Sequence, residues 1–164
     1  MNNILDGKAL FIDFDSTFVK VETIDELAKY SLLNDPLSDE KVKIITDITN
    51  QAMAGEIDFS SALEKRFELL SLSRNDVINV RQKITGMISD SFKKNRETIK
   101  SISNSIWIIS GGFSDIIVPI VSEFGIQDDH VLANSFIYSN DEIIGCDKKN
   151  DLFKKNGKVQ AIDK

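Results

Sequence analysis

The sequence predicts an α/β fold, with a parallel-sheet core interrupted after its first strand by a helical insertion. Three observations carry the prediction. The run "ALFIDFDSTF" drives four apolar residues, 9–12, straight into Asp13 and Asp15. From about residue 22 to 104 apolar residues recur three and four apart, the period of helices packed by one face. A second apolar run, "SIWIIS" at 105–110, then ends in Gly111-Gly112.

In chain order, residues 9–15 have the short, continuous apolar character of a strand buried on both faces. In the insertion, "ETIDELAKYSLL", "SDEKVKIITDITNQAM", "FSSALEKRFELLSL" and "SRNDVINVRQKI" each read as an amphipathic helix. Ser38-Asp39-Glu40 places a cap and two acids in a first turn, and Ser73 opens the next helix similarly. Pro36 and Gly55 punctuate the connections. One further helix, over about 90–102, leads to the β-rich strand at 105–110. "GGFSDIIVPIVSEFGI" reads as a glycine turn and an amphipathic helix ending near Gly125, kinked by Pro119 unless that residue falls in the first turns. "HVLANSFIYSNDEIIGC" reads as a strand and a hairpin turning at Ser139-Asn140-Asp141, and "NGKVQAIDK" begins a helix. The expected division is a core of residues 1–20 and 86–164 around an insertion of 21–85.

Of the 164 residues, 41% are hydrophobic and 28% charged, a globular composition. A net charge of −6 argues against a broad nucleic-acid footprint but leaves room for a local anion site. Cys146 is the only cysteine, so no intramolecular disulfide forms and a reducing, cytoplasmic location is expected. "MNNILDGKAL" has no signal-peptide pattern, and no apolar run approaches the ~18 residues of a membrane helix.

Both unusual stretches, 13–17 and 110–113, fall at carboxyl ends of expected strands, where open α/β sheets carry their sites. Two acids two residues apart repel unless a cation sits between them, and a hard divalent ion such as Mg²⁺ suits oxygen ligands. With the repulsion cancelled, one carboxylate can attack phosphorus while the other protonates a leaving alcohol and activates water. Thr17 is placed to hold the pair across the turn. "SGGF" offers a hydroxyl and a close-approaching backbone to an anion, yet the same letters make a plain strand-to-helix turn. Lys158 is a surface lysine or, beside a phosphate, a neutralising charge. His130, Trp107 and Cys146 read as packing or surface residues.

"DFDST" together with "SGGF" resembles the haloacid dehalogenase superfamily, and within it the phosphoserine phosphatases. "ETIDELAK", "AMAGEIDFSSALEKRFELL" and "ANSFIYSNDEIIG" extend the resemblance in order over about residues 10–162. The resemblance implies a Rossmann-like parallel core with a four-helix-bundle cap, and Mg²⁺-dependent hydrolysis of O-phospho-L-serine in serine biosynthesis. It implies that Asp13 is the phosphorylated nucleophile and Asp15 the general acid and base. Mg²⁺ would bind the Asp13 side chain and the Asp15 carbonyl. Ser110, Gly111 and Lys158 would hold the phosphoryl oxygens. Glu22 would meet the substrate ammonium and Arg66 its carboxylate, with Met53, Phe59 and Gly112 around the substrate. Without the resemblance, Glu22 and Arg66 read as helix-surface charges. The family also has a Gly-Asp-Gly motif with a further aspartate after the Lys158 helix, and the sequence stops at Lys164 before such a strand, so an incomplete core and metal site are expected. A phosphatase for another small phosphomonoester, or a phosphate-binding domain without turnover, fits the same letters. A receiver-like domain does not, given the long insertion.

Overall fold

The computed structural model describes residues 7–163. Strands β1 (Leu10–Ile12), β2 (Ile106–Phe113) and β3 (Val131–Asn134) form a parallel sheet in the order β1-β2-β3. Parallel neighbours need a crossover between them. From β1 to β2 the crossover is the insertion with helices α1 (Thr23–Ser31), α2 (Ser38–Met53), α3 (Phe59–Phe67) and α4 (Arg74–Thr85), then α5 (Asp90–Lys94) and α6 (Arg96–Ser101). From β2 to β3 it is α7 (Ser114–Val121). A hairpin of β4 (Phe136–Ser139) and β5 (Glu142–Cys146) follows, and α8 (Gly157–Ile162) closes the described chain.

Four details depart from the sequence reading. β1 ends at Ile12 and is not buried on both faces: Leu10 is 41% and Phe11 37% exposed. Among the described residues β1 pairs along one edge only, which leaves its first residues uncovered. β2 runs on through Gly111-Gly112 to Phe113, with a register shift against β3 between Ile109 and Phe113. The glycines therefore lie in an irregular strand end rather than in a turn, and α7 starts at Ser114. The single helix expected at 90–102 is two, parted at Asn95, whose side-chain amide donates to the Ser91 carbonyl at 2.8 Å and competes with the helical ladder. Ser38 does not cap α2: Leu37 occupies the cap position and no side chain bonds there.

Other local expectations are met. Ser73 and Asp76 form a reciprocal capping box at α4. The hairpin turns at Asn140-Asp141, with Asn140 at φ +53°, a conformation asparagine tolerates. Pro119 lies past the first turn of α7, and the regular helix stops two residues later at Val121. His130 stacks on Trp107 and its Nδ1 lies 3.0 Å from the Ile106 carbonyl, a packing role.

One hydrophobic cluster runs from α7 (Ile116, Ile117, Ile120) through β2 (Ile106, Ile108) into α1 (Ile24, Leu27) and α4 (Val77, Val80, Ile84). The α3–α4 connection is tied to the hairpin by Ile143 N–H to the Leu72 carbonyl and Arg74 N–H to the Asp141 carbonyl, both 2.8 Å. Buried Glu26 on α1 pairs with Lys29 and, across to α4, with Lys83 at 2.7 Å. By contrast, α2 reaches a core only through a small satellite of Ala28, Leu32 and Ile45. No helix among the described residues is long and apolar enough to cross a membrane.

Candidate active site

At the end of β1 the chain turns sharply, and the turn sets both acids. Asp13 Oδ1 accepts from the Phe14 amide at 2.8 Å, while Oδ2 lies 2.5 Å from Lys158 Nζ. That ion pair joins residues 145 positions apart. Ser16, at φ +53°, reverses the chain, and its hydroxyl donates to Glu22 Oε1 at 2.6 Å.

Asp15 is held by Thr23, not by Thr17, which is exposed and offers no bond to either acid. The Thr23 amide donates to Asp15 Oδ1 at 2.9 Å, and the Thr23 hydroxyl bonds the same oxygen. Thr23 begins α1, so its amide is one of the donors that a helix start leaves unpaired. Burial pushes the Asp15 carboxyl up to about 6; the Glu22 and Asp13 charges push the same way, and the Thr23 bonds oppose them. A group poised there exchanges a proton readily near neutral pH.

Ser110 is fully buried, and its hydroxyl oxygen accepts from the Gly112 amide at 2.9 Å, leaving the hydroxyl proton free to donate. A side chain at Gly112 would place its Cβ 3.1 Å from Asp15 Oδ2 and 3.2 Å from Ser110 Oγ. At Gly111 it would meet the Phe59 ring at 2.9 Å. Glycine at both positions lets strand, acid and aromatic wall close together. Buried Asn134 donates to the Gly111 carbonyl at 2.9 Å, and among the described residues its Oδ1 has no partner.

The helical wall supplies opposite charges. Glu22 precedes α1, and Arg66 lies in the last turn of α3, only 4% exposed. Its Nε donates to the Ala62 carbonyl at 3.1 Å and its Nη1 to Thr49 Oγ1 at 3.2 Å. Asp13, Asp15, Glu22, Met53, Phe59, Arg66, Gly111, Gly112 and Lys158 line one cavity of ≈ 270 Å³, with Ser110 directly behind. Ile24, Leu63 and Phe113 complete its wall. A larger adjoining cavity of ≈ 570 Å³ shares Phe59, Gly111 and Lys158 and lies between residues 55–59 and 154–159.

The sequence reading missed Thr23, Ser16, Thr49 and Asn134. The hydroxyl of "ETIDE", directly after a candidate acid and at a helix start, is the signal that could have found Thr23.

Asp13 and Asp15 fit Mg²⁺ sparingly. Among the described residues no three acidic, histidine or cysteine side chains converge as a metal site. Mg²⁺ is commonly held by one or two carboxylates with phosphate oxygens and water, and the half-exposed Asp13 carboxylate suits that pattern.

No family model matches the chain. It is 32% identical over 161 residues to the phosphoserine phosphatase of Methanocaldococcus jannaschii, covering 96% of this chain and 69% of that one. It is 29% identical over 162 residues to the phosphoserine phosphatase of Bos taurus, covering 98% and 68%. The chain spans 50% of the chloroplastic phosphoserine phosphatase of Arabidopsis thaliana. A phosphoserine phosphohydrolase-like protein from Francisella tularensis superposes with a TM-score of 0.80 at 28% identity, over 95% of this chain and 71% of that one. A phosphoserine phosphatase solved as a phospho-aspartyl intermediate analogue gives 0.74 at 29% identity, over 95% and 69%.

Proposed function

The chain belongs to the phosphoserine phosphatase family of the haloacid dehalogenase superfamily, and on that premise we propose that it hydrolyses O-phospho-L-serine to L-serine and phosphate. The observation that carries the reading is the single cavity in which Asp13, Asp15 and Lys158 face Glu22 and Arg66. A phosphate and a zwitterionic amino acid need those two sets of charges side by side.

Asp13 attacks phosphorus through a carboxylate oxygen, and the bond from phosphorus to the serine oxygen breaks. The departing alkoxide takes the proton carried by Asp15, leaving L-serine and an aspartyl-phosphate. A relative solved as a phospho-aspartyl analogue supports that intermediate. Water then attacks phosphorus and gives a proton to Asp15, and phosphate leaves with the Asp13 carboxylate restored. Lys158, the Ser110 hydroxyl and the Gly111 amide neutralise charge on the phosphoryl oxygens. Mg²⁺ on the Asp13 carboxylate and the Asp15 carbonyl would shield the two acids from the incoming anion. Glu22 takes the ammonium, Arg66 the carboxylate, and Met53, Phe59 and Gly112 border the carbon skeleton.

The test is phosphate release from O-phospho-L-serine by this chain, with and without Mg²⁺, beside Asp13→Asn. Metal-dependent release that falls by about 10³ or more in the variant is expected. Undiminished release from Asp13→Asn overturns the covalent route, and no release from the folded chain overturns turnover by residues 1–164 alone.

A further inference from the structure

Arg66 is held by groups on two other helices of the insertion. Buried Thr49 on α2 accepts from Arg66 Nη1, and its own hydroxyl reaches both the Ile45 carbonyl at 3.0 Å and Asp25 Oδ1, on α1, at 3.1 Å. A hydroxyl has one proton to give. The Ile45 carbonyl already serves the helical ladder of α2, so giving the proton to Asp25 satisfies both acceptors. The result is a chain from the Asp25 carboxylate through the Thr49 hydroxyl to the Arg66 guanidinium, spanning α1, α2 and α3. With Nε fixed by Ala62 and one Nη1 proton by Thr49, the remaining guanidinium N–H groups have no acceptor among the described residues. Yet Arg66 is buried and lines the cavity. A buried guanidinium with open donors favours a planar, two-oxygen anion.

We propose that Asp25 and Thr49 are positioning residues that aim Arg66 into the cavity and set its preference for phosphomonoesters carrying a carboxylate. The inference rests on the substrate reading above. It adds that the preference is built by a hydroxyl and a carboxylate that need not touch the substrate.

The experiment is isothermal titration of the chain, without added metal so that turnover does not intervene, against O-phospho-L-serine and O-phosphoethanolamine. The second ligand keeps phosphate and ammonium and lacks only the carboxylate. Thr49→Val is expected to weaken O-phospho-L-serine about tenfold and leave O-phosphoethanolamine within about twofold, while Thr49→Ser restores the original ratio. Asp25→Asn, which keeps an acceptor and removes the charge, is expected to cost about threefold on O-phospho-L-serine alone. Equal losses for both ligands in Thr49→Val, or none, overturn the inference and leave Thr49 a packing residue. If the unaltered chain binds the two ligands equally, the substrate reading itself fails, a different result from a variant that keeps the wild-type preference.

Discussion

The insertion is two halves with different attachments. Helices α1 and α4 belong to the main hydrophobic cluster, share the Glu26–Lys83 pair, and connect to the hairpin through the α3–α4 link. Helix α2 buries only Ile45, Ile48 and Thr49 of its length, and Met53 at its end is 68% exposed. The acids that need fixed geometry are braced from the firmly held half, since Thr23 of α1 grips Asp15. Of the other groups lining the cavity, Met53 ends α2, while Phe59 and Arg66 lie on α3, which joins the main cluster through Leu63. The difference teaches where rigidity is needed. Reacting atoms tolerate little displacement, whereas the α2 side of the wall, with few buried contacts, has freedom to shift.

Three measurements break or sharpen that contrast. The largest expected effect is on stability: Leu27→Ala, fully buried in α1, should cost about 3.5 kcal/mol in urea denaturation, and Ile48→Ala in α2 about half as much because its surroundings can collapse. Equal costs would mean the two halves are equally attached.

Next is pH. The folded Asp15 carboxyl sits at about 6 against an ordinary 3.8, so the native state holds its proton more tightly than the unfolded chain. The favourable contribution is complete below about pH 4 and is lost as pH rises through 6, on the order of 2–3 kcal/mol for the metal-free chain. Asp15→Asn should flatten that slope in thermal melts and raise the melting temperature at pH 7. An unchanged slope would show that burial of Asp15 is relieved in solution.

The smallest is kinetic. Arg66→Ala should raise KM for O-phospho-L-serine about thirtyfold with little change in kcat, and hardly alter KM for O-phosphoethanolamine. A matching rise for both substrates would place Arg66 in support of the fold rather than at the carboxylate.

Much of the molecule was legible as local pattern. Four insertion helices follow from apolar spacing, the hairpin from Ser139-Asn140-Asp141, and the α4 start from Ser73, because each depends on neighbours within a few residues. "DFDST" and "SGGF" marked the strand ends that carry the cavity for the same reason. Where a competing local bond existed, as at Asn95, pattern alone overran the break.

What the amino-acid order by itself determined is thus the helices, the turns and the positions where charge meets a strand end. Only the tertiary structure decided that Lys158 stands at Asp13 and that Thr23 rather than Thr17 holds Asp15. It alone turned Arg66 from a helix-surface charge into a buried guanidinium braced by Thr49 and Asp25. Periodicity reports which face of an element is apolar. The partner that a polar group finds on that face depends on how elements far apart in the chain pack, and in this protein those pairings shape the cavity.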